Sequence, residues 1–425
     1  MLTRRGFLQS SLALIPAGAM LPQVFQRGLF TAGLEWGNQQ APSAQRTLVV
    51  VELAGGNDGL NTVVPYTDGA YYDARPGVAI AQNDVLPLDD EIGLHPALLD
   101  FVPLWQEGHL AIVEGVGYFD QSYSHFESRD IWQSGQLTGR LEKDYAGWLG
   151  RYFTEMPPST GNWFDGMAIG KKIAPALYTP EIPIPTVQNV KTYQFQEGRK
   201  AADDFTEARI QALLSLYAAA PRAMPHAALL DNTMQAAYNS TISLQTAHSA
   251  YTPSVDYPDN KFAQGLRVIA EAITQNLGLR VGHVSLGGFD THANEIEDHN
   301  KLLTYLGQGI TAFYQDLVAH GKDKDVLIMT WSEFGRRFKS NGSEGTDHGA
   351  ASSLFLLGTP VRGGLYGQRP DLTRLDFGNL RYTTDFRSVY KTVLDEWLQA
   401  PGDVILRSKK LETLGFLNKT PKANP

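Results

Sequence analysis

The sequence predicts an α/β fold with a mostly parallel central sheet flanked by helices. Two observations lead to this prediction: short apolar runs alternate with helical patterns, and most of the runs end in glycine-rich turns. The first run, residues 46–53, is β-branched and almost continuously apolar, which is typical of a strand buried on both faces. A chain of 425 residues with 43% hydrophobic residues can bury a large core.

The later elements repeat this alternation. Helices are predicted over residues 95–105, 124–133, 262–275, 295–320 and 386–398, and further strands over residues 110–117, 279–286, 326–330 and 354–358. The long helix 295–320 carries apolar residues at helical spacing. Residues 150–260 differ, because they are rich in Pro, Tyr and Ala and lack strong strand runs. We therefore predict one α/β domain over residues 45–420, with 150–260 a possible inserted cap; ordinary core helices are the alternative.

The amino terminus predicts export. The stretch TRRGFLQ at residues 3–9 resembles a twin-arginine signal, and a modest apolar stretch follows with Ala17-Gly18-Ala19 as a candidate cleavage site. The alternative is an ordinary basic amphipathic start. We predict that residues 1–44 are a signal segment and linker. The mature protein is then periplasmic or secreted, without a stable membrane span, because the apolar stretch is short and interrupted by Pro and Gly.

The composition of the chain argues against several classes of partner and of active-site chemistry. The net charge is −9 and the body of the chain has no basic cluster, which argues against a nucleic-acid partner. The chain has no cysteine, so disulfides, thiolate ligands and a cysteine nucleophile are excluded. Any metal ion is therefore held by oxygen and imidazole ligands.

Acidic residues and histidines follow several of the predicted strands. Hard oxygen ligands and imidazoles at the carboxyl ends of strands are typical of a divalent-metal site. We predict such a site, for zinc, manganese or calcium, from Asp58, Asp290, His292, Glu333, Asp347 and His348.

Several of these residues also have a simpler structural interpretation. Asp58 lies among glycines and asparagines, as in an ordinary turn. Asp290 is placed to cap the helix that begins near residue 293, and Glu333 to pair with Arg336 or its neighbour. His299 is predicted to be a surface histidine.

Two further residues are candidates for catalysis. Ser124 opens a helix after the second strand, where a metal ion and helix amides would activate it as a nucleophile. The alternative is a capping box, since Glu127 follows three residues later. Arg336 is predicted to hold an anionic substrate group through its guanidinium fork.

The order of these pieces resembles the alkaline phosphatase and sulfatase superfamily. More closely, the chain resembles the exported family of domain of unknown function 1501. The matching stretches are VVELAGGNDGLNTVVPY, GLHPAL, SHFESRDIWQSG, GGFDTHAN, TWSEFGRR and GTDHGAASSLFLLG, which span nearly all of residues 47–400. The resemblance implies an alkaline-phosphatase-like fold with a helical insertion.

The resemblance also implies roles for single residues. Asp58 matches the first metal-binding carboxylate of the superfamily, and Ser124 lies in its nucleophile region. Asp290 and His292 match the later ligands, although the superfamily often spaces them by four residues, and His348 matches the last histidine. The sequence departs from the pattern at Ser332-Glu333-Phe334, where the superfamily commonly has Asp-His, so a centre with two zinc ions is in doubt.

We therefore predict an exported, metal-dependent hydrolase of phosphate or sulfate esters, acting on a small anionic ester. One alternative is a secreted binding or assembly protein without catalytic activity, beside a co-exported partner. Another is a metal-dependent hydrolase of a glycan or peptide linkage. The zinc-protease motif His-Glu-x-x-His is absent.

Overall fold

The structure is a computed structural model that describes residues 46–138, 146–157, 162–194, 206–221 and 226–418. The signal segment predicted for residues 1–44 lies outside these ranges. Within them, no helix has the length and apolar character needed to cross a membrane.

The structure contains one large sheet and two small ones. In chain order the strands are β1 (Thr47–Ala54), β2 (Val63–Val64), β3 (Leu86–Pro87), β4 (Gly93–Leu94), β5 (Leu110–Gly117), β6 (Gly166–Ile169), β7 (Thr186–Val187), β8 (Val281–Gly287), β9 (Val326–Trp331), β10 (Arg336–Ser340), β11 (Thr346–His348), β12 (Ser352–Leu357), β13 (Gly364–Tyr366) and β14 (Thr384–Asp385). The large sheet has the order β13-β5-β12-β9-β1-β8-β6-β7, with β14 beside β5. All of its neighbouring strands are parallel except β12, which runs antiparallel to β5 and β9.

Helices lie between the strands. In chain order they are α1 (Gly59–Thr62), α2 (Gly69–Ala74), α3 (Val102–Gln106), α4 (His125–Ser134), α5 (Trp148–Glu155), α6 (Thr206–Ala218), α7 (Ala227–Ala250), α8 (Lys261–Thr274), α9 (Glu295–Ala319), α10 (Phe386–Thr392) and α11 (Gly402–Ile405). Short 3₁₀ turns occur at Gln82–Asp84, Pro96–Phe101, Pro175–Leu177, Val190–Thr192 and Asp323–Asp325, and a π turn, Val393–Trp397, continues α10.

Both faces of the large sheet are buried. Successive strand residues point to opposite faces, so Val49 and Val51 of β1 pack with α8 and α9, whereas Leu48 and Val50 pack with α4, α5 and α10. This layering explains why the strand runs of the sequence are continuously apolar. The predicted mostly parallel sheet flanked by helices is confirmed.

The segment 150–260 contributes strands as well as helices. It contains α6 and α7, as its composition indicated, but also β6 and β7, which extend the large sheet beyond β8. Its role as a cap stays a prediction.

Four long strands of the large sheet end at the same edge. The strands β1, β5, β8 and β9 run in the same direction, so their carboxyl ends lie side by side.

Candidate metal centre

Polar residues that follow three of these strands, β5, β8 and β9, meet at the shared edge. His125 lies at the start of α4 beyond β5, Asp290 follows β8, and Glu333 follows β9. His348 ends β11, which pairs with β10 in a small hairpin. Since carboxyl ends of parallel strands lie side by side, residues distant in sequence become neighbours here.

Three imidazoles converge on one carboxylate. The possible ligand atoms of His125, Asp290 and His348 all lie within 4.8 Å of one another. Asp290 Oδ1 is 3.0 Å from Nε2 of His348 and 3.1 Å from Nε2 of His292, and Asp290 Oδ2 is 3.3 Å from Nε2 of His125. The Nε2 atoms of His292 and His348 are 3.0 Å apart. We call these four residues the histidine cluster.

The opposite nitrogen of each imidazole faces an oxygen that only accepts hydrogen bonds. The Nδ1 partners are Glu333 Oε1 at 2.9 Å for His125, Asp347 Oδ1 at 3.2 Å for His292 and the Tyr123 carbonyl at 2.8 Å for His348. This network assigns the proton of each ring to Nδ1, which donates it outward. Each Nε2 then turns a lone pair towards Asp290.

Such an arrangement fits a cation. Imidazole lone pairs and a carboxylate oxygen repel one another at about 3 Å unless a proton or metal ion lies between them. Imidazole and carboxylate together suit zinc and other divalent ions. A metal-binding histidine usually donates its other N–H to a carboxylate or carbonyl, and all three rings do so here. The donor set therefore fits a divalent ion.

Arg336 holds Asp290 in place. Partial burial alone would raise the pKa of Asp290, but the hydrogen bond and the charge of Arg336 outweigh it and bring the pKa to about 2. The Arg336 side chain is fully buried, and it also donates to the carbonyls of Gly55, Gly56, Phe289 and Thr346. Its position indicates that it orients Asp290 and the surrounding turns, whereas the sequence suggested direct contact with a substrate anion.

Glu333 orients His125. Its carboxylate is 1% exposed and accepts hydrogen bonds from the amides of Gly55, at 3.0 Å, and Gly56, at 3.2 Å, besides His125. Gly55 has a φ of +126°, and a Cβ there would lie 2.4 Å from the backbone nitrogen of Asp290. A glycine at position 55 therefore lets residues 55–58, which we call the β1 turn, pack against Asp290 and present their amides to Glu333.

Asp58 lies in a separate, buried cluster. Its carboxylate is ion-paired with Arg75 and accepts the amides of Leu60, at 3.1 Å, and Asn61, at 3.3 Å, as the N-cap of α1. Burial alone would raise the pKa of Asp58, but the charge of Arg75 outweighs it and holds the pKa far below its usual range. The structure thus brings Asp290, His292 and His348 together and places the Asp58 carboxylate against Arg75.

Two further titratable residues complete this buried cluster. Glu295 accepts a hydrogen bond from Thr346 Oγ1 at 2.5 Å, and burial together with Asp58 raises its pKa to about 9. His299 is 1% exposed, its Nε2 lies 2.9 Å from Asn57 Oδ1, and burial lowers its pKa to about 4. The prediction of a surface histidine at position 299 is wrong, because α9 packs its first turns against the β1 turn.

Ser124 is exposed at the N-cap of α4. Among the residues that the structure describes, its hydroxyl makes no capping hydrogen bond, and Glu127 instead accepts from Ser122 Oγ at 2.8 Å. The capping box is therefore not formed. Ser124 directly precedes His125 of the histidine cluster, and its role as nucleophile stays a prediction.

One buried aromatic ring packs against the histidine cluster, and several other aromatic side chains are exposed nearby. The buried Phe334 ring lies under His125 and His348, with centroid distances of 5.0 and 4.5 Å. Five large aromatic side chains are exposed in nearby segments: Phe119, Tyr123 and Phe126 lie before and at the start of α4, and Phe377 and Tyr382 lie in the loop before β14. These two segments are joined by a 3.0 Å hydrogen bond from Asn379 Nδ2 to the Tyr123 hydroxyl. We call these five residues the aromatic rim.

Sequence reasoning missed His125 as a possible ligand and Arg75 as the partner of Asp58. The available signal for His125 was its place just after a strand, beside a serine already singled out. Arg75 follows Asp58 by seventeen residues, and nothing in its local sequence distinguishes it from a surface arginine.

The fold and the histidine cluster define an α/β protein with a candidate metal centre at the carboxyl edge of its sheet. The chain belongs to DUF1501, a protein family of unknown function whose model matches residues 118–397. This confirms the family expected from the sequence. No curated protein matches the chain.

Solved structures similar to this chain include two named enzymes and a zinc-bound domain. The PsFucS1 sulfatase from Pseudoalteromonas sp. is 12% identical, with a TM-score of 0.39 over 94% of this chain and 78% of the sulfatase. The lipoteichoic acid synthase LtaP from Listeria monocytogenes is 8% identical, with a TM-score of 0.31 over 74% of this chain and only 65% of LtaP. The C-terminal periplasmic domain of EcEptC from Escherichia coli, in complex with Zn, is 10% identical, with a TM-score of 0.33 over 76% of this chain and 75% of that domain. Similarity at this level assigns no activity to this chain.

Proposed function

We propose that this chain is an exported, metal-dependent hydrolase of phosphate or sulfate esters. The observation that supports it most is the convergence of three imidazole Nε2 atoms on Asp290, each ring donating its Nδ1 proton to an oxygen. A divalent ion bound there supplies positive charge to the oxygens of an ester group. The export part of the proposal rests on the TRRGFLQ stretch.

The proposed roles differ for ligands and for orienting groups. The histidine cluster holds the ion, with His125 as a ligand that the sequence did not suggest. Glu333 and Asp347 fix the rings of His125 and His292 through their Nδ1 atoms. Arg336 keeps Asp290 ionised and aimed at the cluster.

Ser124 is the proposed nucleophile. Its hydroxyl oxygen forms the new bond to phosphorus or sulfur, the bond to the alcohol oxygen breaks, and the alcohol leaves with a proton. Water then releases phosphate or sulfate from the serine. The exposed hydroxyl, free of a capping bond and at the N-terminus of the ten-residue helix α4, supports this role.

A direct test measures hydrolysis of aryl phosphate and aryl sulfate esters by the metal-loaded protein and by Ser124→Ala. We expect metal-dependent hydrolysis by the wild type. Ser124→Ala is expected to lose hydrolysis and keep its metal. Hydrolysis that survives Ser124→Ala, or that is unaffected by chelation, would contradict the proposal.

The exposed aromatic rim favours one alternative function. Phe126 is 86% and Phe377 91% exposed, and large apolar side chains exposed to this degree also suit a protein interface. In that case the chain is a secreted binding or assembly protein with a co-exported partner. A bound metal without hydrolysis of any tested ester would favour this alternative.

A further inference from the structure

The carboxyl edge of the sheet carries a second group of metal-ligand types, built around the buried guanidinium of Arg75. Arg75 Nη1 bonds to the Asp58 carboxylate and, at 3.1 Å, to Asn61 Oδ1. Its Nε and Nη2 donate to the carbonyls of Phe338, at 3.0 Å, and Arg337, at 2.8 Å. All three guanidinium nitrogens are therefore engaged.

The side chains around Arg75 are ones that a divalent ion also takes. Carboxylate, amide and imidazole groups converge there, and none is more than 2% exposed: Asn57, Asp58, Asn61, Glu295 and His299. In the histidine cluster, by contrast, Asp290 is 47% and His292 43% exposed. The two groups therefore differ in access to solvent. They also differ at the carboxylate: Arg336 bonds to Oδ1 of Asp290 and leaves Oδ2 facing His125, whereas Asp58 has Arg75 on Oδ2 and two backbone amides on Oδ1.

We infer that this protein binds one metal ion per chain, at the histidine cluster, and that Arg75 takes the place of a second ion beside Asp58. The inference rests on the proposed function, because it assumes that the histidine cluster holds a metal. The guanidinium already neutralises the buried carboxylate. A divalent ion at ligand distance from Asp58 would meet the charge of Arg75 within a few ångströms, in a place where water cannot screen it.

The decisive measurement is the metal content of the intact wild-type chain, reconstituted with zinc or manganese and freed of excess ion. We expect one equivalent in the wild type and in Asp58→Asn, and none in His348→Ala with His125→Ala. Two equivalents in the wild type, one of them lost in Asp58→Asn, would overturn this inference alone. No metal in the wild type would overturn both the inference and the proposed function.

Substitution of Arg75 tests why a second ion is excluded. Circular dichroism shows whether Arg75→Met folds. If it does, we expect it to bind a second equivalent of metal, and we expect the double variant Arg75→Met with Asp58→Asn to bind only one. Arg75→Lys keeps the charge and is expected to stay at one equivalent. A folded Arg75→Met that stays at one equivalent would contradict the role given to Arg75. If Arg75→Met does not fold, the wild-type stoichiometry still decides.

Discussion

The histidine cluster and the buried cluster around Asp58 and Arg75, which we call the Asp58–Arg75 cluster, both lie at the carboxyl edge of the large sheet. They differ in exposure to solvent and in their hydrogen bonds. The first brings three imidazole lone pairs to a half-exposed carboxylate, and the groups that fix the rings lie outside it. The second seals a carboxylate and a guanidinium away from solvent, each with its hydrogen bonds made inside the protein. Both contact the β1 turn: Glu333, which orients His125, accepts hydrogen bonds from its amides, and Asp58 is part of it.

The difference shows that similar residues after a strand can be arranged in two ways. A carboxylate after a strand is not evidence of a metal ligand by itself, because an internal cation can satisfy it. In the histidine cluster, Arg336 bonds to only one oxygen of Asp290, and the three imidazole lone pairs that face this carboxylate suit a further cation. Each of the following changes perturbs one cluster and leaves the other in place.

The largest effect is expected from removing the buried cation. Arg75→Met leaves Asp58 as an unpaired buried carboxylate, which we expect to lower the free energy of unfolding by about 3–5 kcal/mol in the presence of a chelator. Urea denaturation measures this change. Arg374→Met, at an exposed arginine, is the matched control and should leave the midpoint unchanged. A loss below about 1 kcal/mol would show that the pair is not needed for stability.

The next effect concerns the support of His125. In Glu333→Gln the amide oxygen can still accept from the N–H groups of Gly55 and Gly56, but the NH2 group then faces the Nδ1–H of His125, so the ring loses its fixed orientation. We expect the affinity for zinc to fall by about 10–100-fold, as for other groups that orient metal-binding histidines. Competition with a chromophoric chelator gives the affinity, and Glu412→Gln, at an exposed site, serves as control. Unchanged affinity would remove Glu333 from the centre.

Glu295 provides a test by pH. Its pKa is raised from 4.5 to about 9, so between these values the folded chain keeps a proton that the unfolded chain has lost. Stability contributed by this group therefore falls as pH rises through that window, with a slope of up to about 1.4 kcal/mol per pH unit. Glu295→Gln is expected to flatten the dependence between pH 5 and 9. Parallel curves for the variant and the wild type would place the proton elsewhere.

The smallest effect is expected at the aromatic rim. Phe126→Ala removes a side chain that is 86% exposed beside His125. Stacking by one aromatic ring contributes about 0.5–1.5 kcal/mol, so KM for an aryl ester should rise by roughly 2–12-fold with kcat and metal content unchanged. Leu230→Ala, at a residue 50% exposed in α7, is the control. A fall in kcat at constant KM would assign Phe126 a different role.

Much of the architecture could be predicted from the sequence. The runs at β1, β5 and β9 are largely apolar, and this pattern indicates burial on both faces. The β8 run is less regular, since it contains His283 and Ser285. The antiparallel direction of β12 was not predictable, because an apolar run carries no information about the direction of its neighbour. The two-residue strand β7 is too short for any pattern.

The site was only partly predictable, for physical reasons. Asp290, His292 and His348 follow strands, and strand ends converge in this class of fold. Asp58 also follows a strand, but its carboxylate forms a buried ion pair with Arg75. This is a tertiary contact, and the sequence around Asp58 does not indicate it. His299 occupies a helix position that looks solvent-exposed until α9 is packed against the β1 turn.

The central claim is that the histidine cluster binds a metal ion, and the metal content of the protein tests it most directly. Elemental analysis would be made on protein purified without chelator, for the wild type and for His292→Ala with His348→Ala. We expect a stoichiometric divalent metal in the wild type and its loss in the double variant, with the fold retained. A wild type that takes up no zinc, manganese or calcium even on reconstitution would contradict the claim, as would a double variant that keeps its metal.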